Sequence, residues 1–281
     1  MSYHEITVVI TSFRSETKII DCLNSINPEV KVLIIENSNN KDFKKDVEKK
    51  YPNTQCFLSN ENLGYAKGNN FGLSKVKSKY ALIINPDAIL EKDAIDNFLL
   101  SAKRNKDFAI IGPYVQKDDY PEGNNKKEQK LKNVSSVKGF AMFFNMSQFE
   151  KIGFFDEKFF IYLEEIDLCR RVKNINKNII LDPSIKIKHA GGTSHDDKID
   201  HEMELSRNWH WMWSTFYYNK KYNGYFIALI KVLPKLISSI FKMLFYSIIF
   251  NKIKKKIYFQ RFSGLINSIL GKKSWYRPKV F

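Results

Sequence analysis

The chain has 281 residues, 43% hydrophobic content and a formal net charge of +16, which excludes a disordered polymer and allows one large domain or two modest ones. Cys22, Cys56 and Cys169 are odd in number and far apart, which excludes a zinc pattern and a disulfide framework and fits a reducing cytosol. Residues 1–204 hold 31 Lys and Arg against 30 Asp and Glu, whereas residues 205–281 hold 15 Lys and Arg and no acid, so the last segment is expected to face something anionic.

The first residues, Met1 to Glu5, lack a basic region followed by an apolar one, so no signal peptide is expected. From there the pattern alternates. Residues 6–10 read as a buried strand, 16–26 as a helix by apolar spacing, 31–35 as a strand and 42–50 as a charged helix. Strands follow at 55–58, 80–84 and 108–111, with helices at 65–76 and 92–104. Strands alternating with helices predict a mostly parallel α/β sheet. Residues 117–133 are polar and Lys-rich and read as a surface loop or lid. A strand is expected over 134–145, a short helix over 164–173, strands at 178–181 and 185–188, and an aromatic helix over 201–219. No internal repeat is present. No Gly-x-Gly-x-x-Gly follows the first strand, and Gly271-Lys272-Lys273-Ser274 lacks the upstream glycine of a P-loop because position 266 is Ile.

Polar residues gather after the strands. Thr11-Ser12 follows the first, Glu36-Asn37-Ser38 the second, and Asn62-Leu63-Gly64-Tyr65-Ala66-Lys67-Gly68-Asn69-Asn70 the third. After the fourth, the apolar run Ala81 to Ile84 ends in Asn85-Pro86-Asp87, where proline takes the chain out of the sheet. Each alone is a turn; together, at the C-terminal ends of four strands, they mark one crevice. A carboxylate there can hold Mg²⁺ or Mn²⁺ against a diphosphate. Tyr162-Leu163-Glu164-Glu165-Ile166-Asp167-Leu168-Cys169-Arg170-Arg171 and His189-Ala190-Gly191-Gly192-Thr193-Ser194 come later in the chain.

This order resembles the inverting family 2 of nucleotide-sugar glycosyltransferases, in its rhamnosyltransferase-like branch, over about residues 5–215. The resemblance implies a GT-A fold: a Rossmann-like, mixed but mostly parallel sheet flanked by helices. It places Thr11 and Ser12 in the nucleotide pocket and Glu36 against the base, in place of the usual, shorter Asp. It puts Asn62, Gly64 and Lys67 in the donor site, with Asn62 and Lys67 against phosphate or ribose. Asp87 would anchor the divalent metal, with Asn85 where the family's first motif acid usually stands, and His189 would add a metal or diphosphate contact. Gly191 and Gly192 would let the backbone approach. Glu165 is the expected general base, taking the acceptor hydroxyl's proton in one in-line displacement. Glu164 and Asp167 are expected to serve structure or substrate hydroxyls, and Arg171 to pair with Asp167 four residues earlier. The implied donor is dTDP-rhamnose, with a UDP-hexose or UDP-galactofuranose as the alternative. The implied acceptor is lipid-linked or an oligosaccharide of a surface glycan.

Between positions 225 and 250 the chain is apolar but interrupted by Lys231, Pro234, Lys235 and Lys242, so a spanning helix is not expected. Lys231, Lys235, Ser238 and Lys242 form one polar stripe, Lys256, Gln260, Ser263 and Asn267 another, and Lys252, Lys254, Lys255 and Lys256 lie between the two apolar segments. Amphipathic Lys-rich helices lie in the interface of an anionic membrane. The expected organisation is therefore a catalytic domain over 1–219 and a basic amphipathic helical region over 220–281, with 225–270 on the inner face of the cell membrane in a cytoplasmic, peripheral protein. The alternative is that these helices pack on the catalytic domain or on a second copy of the chain, and a homo-oligomer stays open. Two rival classes fit the residues less well. Trp209, Trp211, Trp213, Phe216, Tyr217 and Tyr218 would stack bases in a nucleic-acid-binding protein, but the tail's helical apolar spacing speaks against one. A metal hydrolase using His189, His195, Asp196, Asp197 and His201 lacks the zincin spacing.

Overall fold

The computed structural model describes residues 2–114, 131–189, 191 and 194–279. Among these the strands are β1 (Ile6–Ser12), β2 (Lys31–Glu36), β3 (Thr54–Leu58), β4 (Tyr80–Ile84), β5 (Ala88–Leu90), β6 (Phe108–Tyr114), β7 (Lys132–Asn133), β8 (Ala141–Asn145) and β9 (Asn178–His189). The helices are α1 (Ile19–Asn24), α2 (Lys41–Lys50), α3 (Gly64–Leu73), α4 (Ala94–Arg104), α5 (Phe149–Ile152), α6 (Glu164–Asn174), α7 (Asp200–Asn223), α8 (Tyr225–Ile248) and α9 (Lys252–Ile269). Contacts divide the chain into two compact units, residues 1–155 with 165–196, and residues 156–164 with 197–281. The expected boundary at 219 falls inside α7.

The first unit carries the sheet, in the order β3-β2-β1-β4-β8-β6-β9-β5, with β7 beside β9. β1 to β4 run parallel to one another, β8 runs antiparallel to both β4 and β6, and β6 and β9 are parallel. Val8, Ile10, Val32, Ile34, Leu82 and Ile84 are essentially inaccessible, as continuous apolar strands covered on both faces should be. Phe143 of β8 stacks on Phe98 of α4 at 5.0 Å and on Phe108 of β6 at 5.8 Å. α3 lies close on β1 and β2 because two of its three glycines, Gly68 and Gly72, face those strands. A Cβ at Gly72 would stand 2.4 Å from Val9 Cγ1, and one at Gly68 2.7 Å from Thr11 Cγ2.

Three local expectations are corrected. The strand expected over 134–145 begins only at Ala141. β8 pairs with β4, whose last paired residue is Ile84. Beyond it the chain turns away at Asn85-Pro86, so residues 134–140 join no ladder with β4, although Val134 N donates to Ile179 O of β9 at 2.9 Å. The strands expected at 178–181 and 185–188 are one strand, β9, whose register against β6 jumps between Pro113 and Tyr114. Asp182 holds that bulge by accepting bonds from the Ser184 N–H (2.9 Å) and hydroxyl (2.7 Å). The short β5 was not anticipated. Most of the loop expected over 117–133 lies outside the described residues, and Lys132–Asn133 form β7.

The second unit is helical. α7 ends at Gly224, whose φ of +81° no larger residue adopts easily, and α8 follows at once. Met212 and Phe216 of α7, Ala228 and Val232 of α8 and Leu265 of α9 form its core. α7 and α9 cross so closely that a Cβ on Gly264 would stand 2.2 Å from the Trp209 carbonyl oxygen. Ser268 donates to the Trp213 carbonyl at 2.9 Å, and the Trp213 indole donates to Lys272 O at 3.0 Å. Trp209, Trp213 and Phe216 are thus committed to packing, at 0%, 4% and 0% exposure, which removes them as base-stacking platforms. No helix among the described residues is long and apolar enough to cross a membrane.

α8 buries its small residues, Ala228, Val232 and Ser239. Of its large ones, Leu229 and Leu236 pack on the helical unit's core, while Phe226, Ile230, Leu233, Ile237, Phe241, Leu244, Phe245 and Ile248 are exposed, and Phe250 just beyond them is 87% exposed.

Candidate active site

The residues after β1, β2 and β3 are held by one another. Asn37 N donates to Ser12 O at 2.8 Å, and the Thr11 hydroxyl donates to Asn69 Oδ1 at 2.9 Å. Asn37 Nδ2 donates to Gly64 O at 3.2 Å, and Asn62 Oδ1 accepts the Gly64 N–H at 3.1 Å. Ser12 and Glu36 are each 1% exposed. The Glu36 carboxylate accepts the Ser38 N–H (2.9 Å), the Asn40 N–H (2.6 Å) and the Ser38 hydroxyl. It therefore organises its own loop and, through Asn40, the cap of α2, where Asn40 Oδ1 accepts from Phe43 N at 3.0 Å. Lys67 points outward on α3, 47% exposed, with Glu61 at 3.3 Å.

The centre of the crevice is Asp87. β5 pairs with β9 so that Ala88 stands opposite His189, which carries His189 to the neighbouring Asp87. His189 Nε2 lies 3.4 Å from Asp87 Oδ1 and 3.3 Å from Asn85 Nδ2. Its ring stacks on Phe140 at 4.4 Å and 9°. The Ser194 hydroxyl donates to Asp87 Oδ1 at 2.6 Å. Residues 194–196 are fixed in turn by the loop after β1: the Ser15 hydroxyl donates to Ser194 O at 2.5 Å, and Asp196 N donates to Arg14 O at 2.7 Å. The Asp87 side chain is only 5% exposed. Burial alone would raise its pKa, but the bonds from His189 and Ser194 and the proximity of the imidazole hold it below the ordinary carboxylate value. Gly191 has a φ of +68°; Gly192 lies outside the described residues.

Glu164 and Glu165 open α6. Gly139 leaves room beside Glu165, since a Cβ there would stand 3.5 Å from Glu165 Cβ and Cγ and from Tyr65 Oη. The Tyr65 hydroxyl donates to the Gly139 carbonyl, so the Gly64–Asn70 stretch reaches this wall of the crevice as well. Asn70 completes the brace through paired bonds with Phe155, Nδ2 to O at 2.9 Å and N to Oδ1 at 3.0 Å. Glu164 is 4% exposed. Asp167 is fully buried and accepts from Arg171 Nε at 2.9 Å, and the same guanidinium donates to the carbonyls of Ile152 (2.8 Å) and Phe154. Asp167 thus anchors the segment leading to Phe155. Burial pushes the Cys56 and Cys169 thiols up to about 12 and Cys22 higher still, so none is a ready nucleophile.

The sequence reading gave Ser194, Phe140, Gly139, Ser15 and Asn69 no role. Asn69 and Ser194 lie within the 62–70 and 189–194 stretches, and only the fold shows what they touch. Among the described residues, no group of three or more His, Cys, Asp or Glu could hold a metal; Asp87 and His189 are two.

The match to the family model for glycosyl transferase family 2 spans residues 7–170. The chain is 27% identical over 198 residues to the low-salt glycan biosynthesis hexosyltransferase Agl10 of Haloferax volcanii, covering 62% of this chain and 64% of that protein. It therefore spans less than two thirds of that relative's length. It is 24% identical over 234 residues to the rhamnosyltransferase WbbL of Escherichia coli K12, covering 72% of this chain and 86% of WbbL. Among solved structures, the mannosyltransferase PcManGT of Pyrobaculum calidifontis, in complex with GDP-Man and Mn²⁺, superposes with a TM-score of 0.61 over 96% of this chain and 88% of that one, at 10% identity. The fold is GT-A, and the chain belongs to glycosyl transferase family 2.

Proposed function

We propose that the protein is an inverting glycosyltransferase that moves a sugar from a nucleoside diphosphate donor to a hydroxyl of a lipid-linked or polysaccharide acceptor. The observation that carries this reading is the buried, ionised Asp87 held by His189 and Ser194 at the C-terminal end of β4, where an open α/β sheet binds its ligands. Glu165 takes the proton from the acceptor hydroxyl as its oxygen attacks the anomeric carbon. The bond to the diphosphate breaks on the opposite face, and its electron pair leaves with the nucleoside diphosphate. Asp167 and Arg171 position α6 rather than touch substrate. Thr11, Ser12, Asn62 and Gly64 line the donor side, and Glu36 shapes the base end through its loop.

The donor set fits a divalent metal. Asp87 offers an ionised carboxylate and His189 an imidazole nitrogen, leaving other positions for diphosphate oxygens. Mg²⁺ or Mn²⁺ would neutralise charge on the departing diphosphate. The hexosyl- and rhamnosyltransferase relatives favour dTDP-rhamnose as donor, with a UDP-hexose or UDP-galactofuranose as the alternative. Residues 220–281 serve association with an anionic membrane. α8 turns most of its large apolar side chains outward, Lys252, Lys254, Lys255 and Lys256 are exposed beside them, and the segment holds no acid. That chemistry suits the interface of anionic lipid, and with it a lipid-linked acceptor.

The test is turnover of a nucleotide-sugar panel with a lipid-linked glycan acceptor. Wild type should release nucleoside diphosphate and form product of inverted anomeric configuration, and Glu165→Gln should lower kcat by about 10²–10⁴-fold with donor affinity kept. Retained configuration, or a Glu165→Gln enzyme of normal kcat, would refute the assignment.

A further inference from the structure

The helical unit carries an open groove of about 530 Å³ lined by Tyr162, Asp200, Glu204, Arg207, Asn208 and Trp211. Its size falls within the roughly 300–1,000 Å³ of small-ligand sites. Five of the six residues come from α7 at spacings of four, three, one and three, so they share one face of that helix. The sixth, Tyr162, meets Trp211 edge to face at 5.5 Å and 85°. Tyr162 and Leu163 both have positive φ, 73° and 68°, a conformation that bulky residues rarely adopt and that tends to persist at working sites. Trp211 is 39% exposed although its neighbours on the helix, Trp209 and Trp213, are buried.

The lining selects a ligand class. Asp200 and Glu204 only accept hydrogen bonds when ionised, Arg207 only donates, and Asn208 and the Tyr162 hydroxyl can do both. Arg207 Nη2 already lies 3.3 Å from Asp200 Oδ1, so the wall balances to one net negative charge and does not favour a phosphate or diphosphate. Lys235 Nζ lies 5.6 Å from the centre of the Trp211 ring, so a cationic ligand on that indole would meet a charge of its own sign. A neutral molecule with several hydroxyls satisfies both constraints. Each hydroxyl can donate to a carboxylate and accept from the guanidinium or amide, while the apolar C–H face of the ring lies on the amphipathic aromatic surface.

We propose that this pocket binds a neutral sugar residue of the acceptor glycan, with Trp211 as its platform and Glu204, Arg207 and Asn208 as its hydroxyl partners. This rests on the glycosyltransferase reading above, to which it adds the acceptor's chemical class. Tyr162 stands three residues before the proposed base Glu165 in the chain, which gives the pocket a covalent link to the helix that carries the base.

The test is saturation-transfer NMR on the full chain with methyl glycosides of glucose, galactose, mannose, rhamnose and N-acetylglucosamine as probes. Wild type should transfer saturation to the ring protons of one or more glycosides, and excess nucleoside diphosphate should not displace them. Trp211→Ala should weaken that binding roughly tenfold, Glu204→Gln should weaken it, and Trp211→Phe should keep part of it. No transfer to any glycoside in wild type, or equal transfer in Trp211→Ala and Glu204→Gln, would overturn the pocket. The thermal midpoint of the same samples with nucleoside diphosphate and Mn²⁺ reports the donor crevice separately. Glycoside binding without a nucleotide shift would sink the transferase reading and leave a sugar site; the reverse would remove the pocket and leave the transferase.

Discussion

Replacing Glu36 by Gln asks whether this buried acid holds the crevice together. The carboxylate is 1% exposed and accepts three hydrogen bonds, from Ser38 N at 2.9 Å, Asn40 N at 2.6 Å and the Ser38 hydroxyl. Gln keeps the shape but has one acceptor oxygen and a donor amide. Whichever way the amide turns, an NH₂ faces a backbone N–H that had a charged acceptor. A hydrogen bond to a charged group contributes about 1.5–3 kcal/mol. Losing one and weakening another gives an expected destabilisation of about 2–4 kcal/mol. Asn40 also caps α2, so part of the loss should appear there. Equilibrium urea unfolding followed by far-UV circular dichroism measures it, and hydrogen exchange should show the Ser38, Asn40 and Phe43 amides exchanging faster. Glu36→Asp, one methylene shorter, should be destabilised too, because it cannot span both amides. A loss below about 0.5 kcal/mol, the size of an ordinary surface change, would refute the reasoning and leave Glu36 to the bound base alone.

Two further outcomes follow from the helical unit. His210 is fully buried and bonds Tyr276 O at 2.8 Å through Nε2. Burial pushes its pKa down to about 3, the Tyr276 bond opposing and Arg277 assisting. The unfolded chain therefore binds a proton near pH 6.5 that the folded chain refuses, so stability is lost as pH falls below about 6.5. At pH 5 the cost is about 2 kcal/mol; in urea titrations the wild-type slope over pH 5–6.5 should exceed that of His210→Gln by about 1 kcal/mol per pH unit, and equal slopes would contradict the buried neutral imidazole. For the membrane assignment, exchanging Phe226, Phe241 and Phe245 for Ser should abolish sedimentation with anionic phosphatidylglycerol vesicles while the thermal midpoint holds, since these side chains are 79%, 68% and 55% exposed; undiminished binding would place the contact elsewhere.

Much of the first unit was legible because its strands are short apolar runs bounded by polar turns, and Val8, Ile34 and Ile83 sit where that pattern puts them. β5 was not, because three residues with an exposed Ile89 in the middle carry no periodic signal. Its absence mattered, since β5 pairing with β9 is what brings His189 to Asp87. The i, i+4 pair of Asp167 and Arg171 was legible from spacing alone. What Arg171 does with its remaining donors depends on where the carbonyls of residues 152–154 fall, which only the fold decides. α8 shows a different limit. Its composition announced an amphipathic helix, but a helix with apolar residues on most sides does not declare which side packs, and the small face of Ala228, Val232 and Ser239 turned inward.

The proposed nucleoside diphosphate site is built on Asp87. Its most direct test is the thermal midpoint of the full chain with dTDP, UDP and GDP, each with and without Mn²⁺, in wild type and Asp87→Ala. A ligand that binds only the folded state raises the midpoint. The account predicts a metal-dependent rise for one nucleotide, absent in Asp87→Ala. A rise that persists in Asp87→Ala, or no rise with any nucleotide, would contradict it.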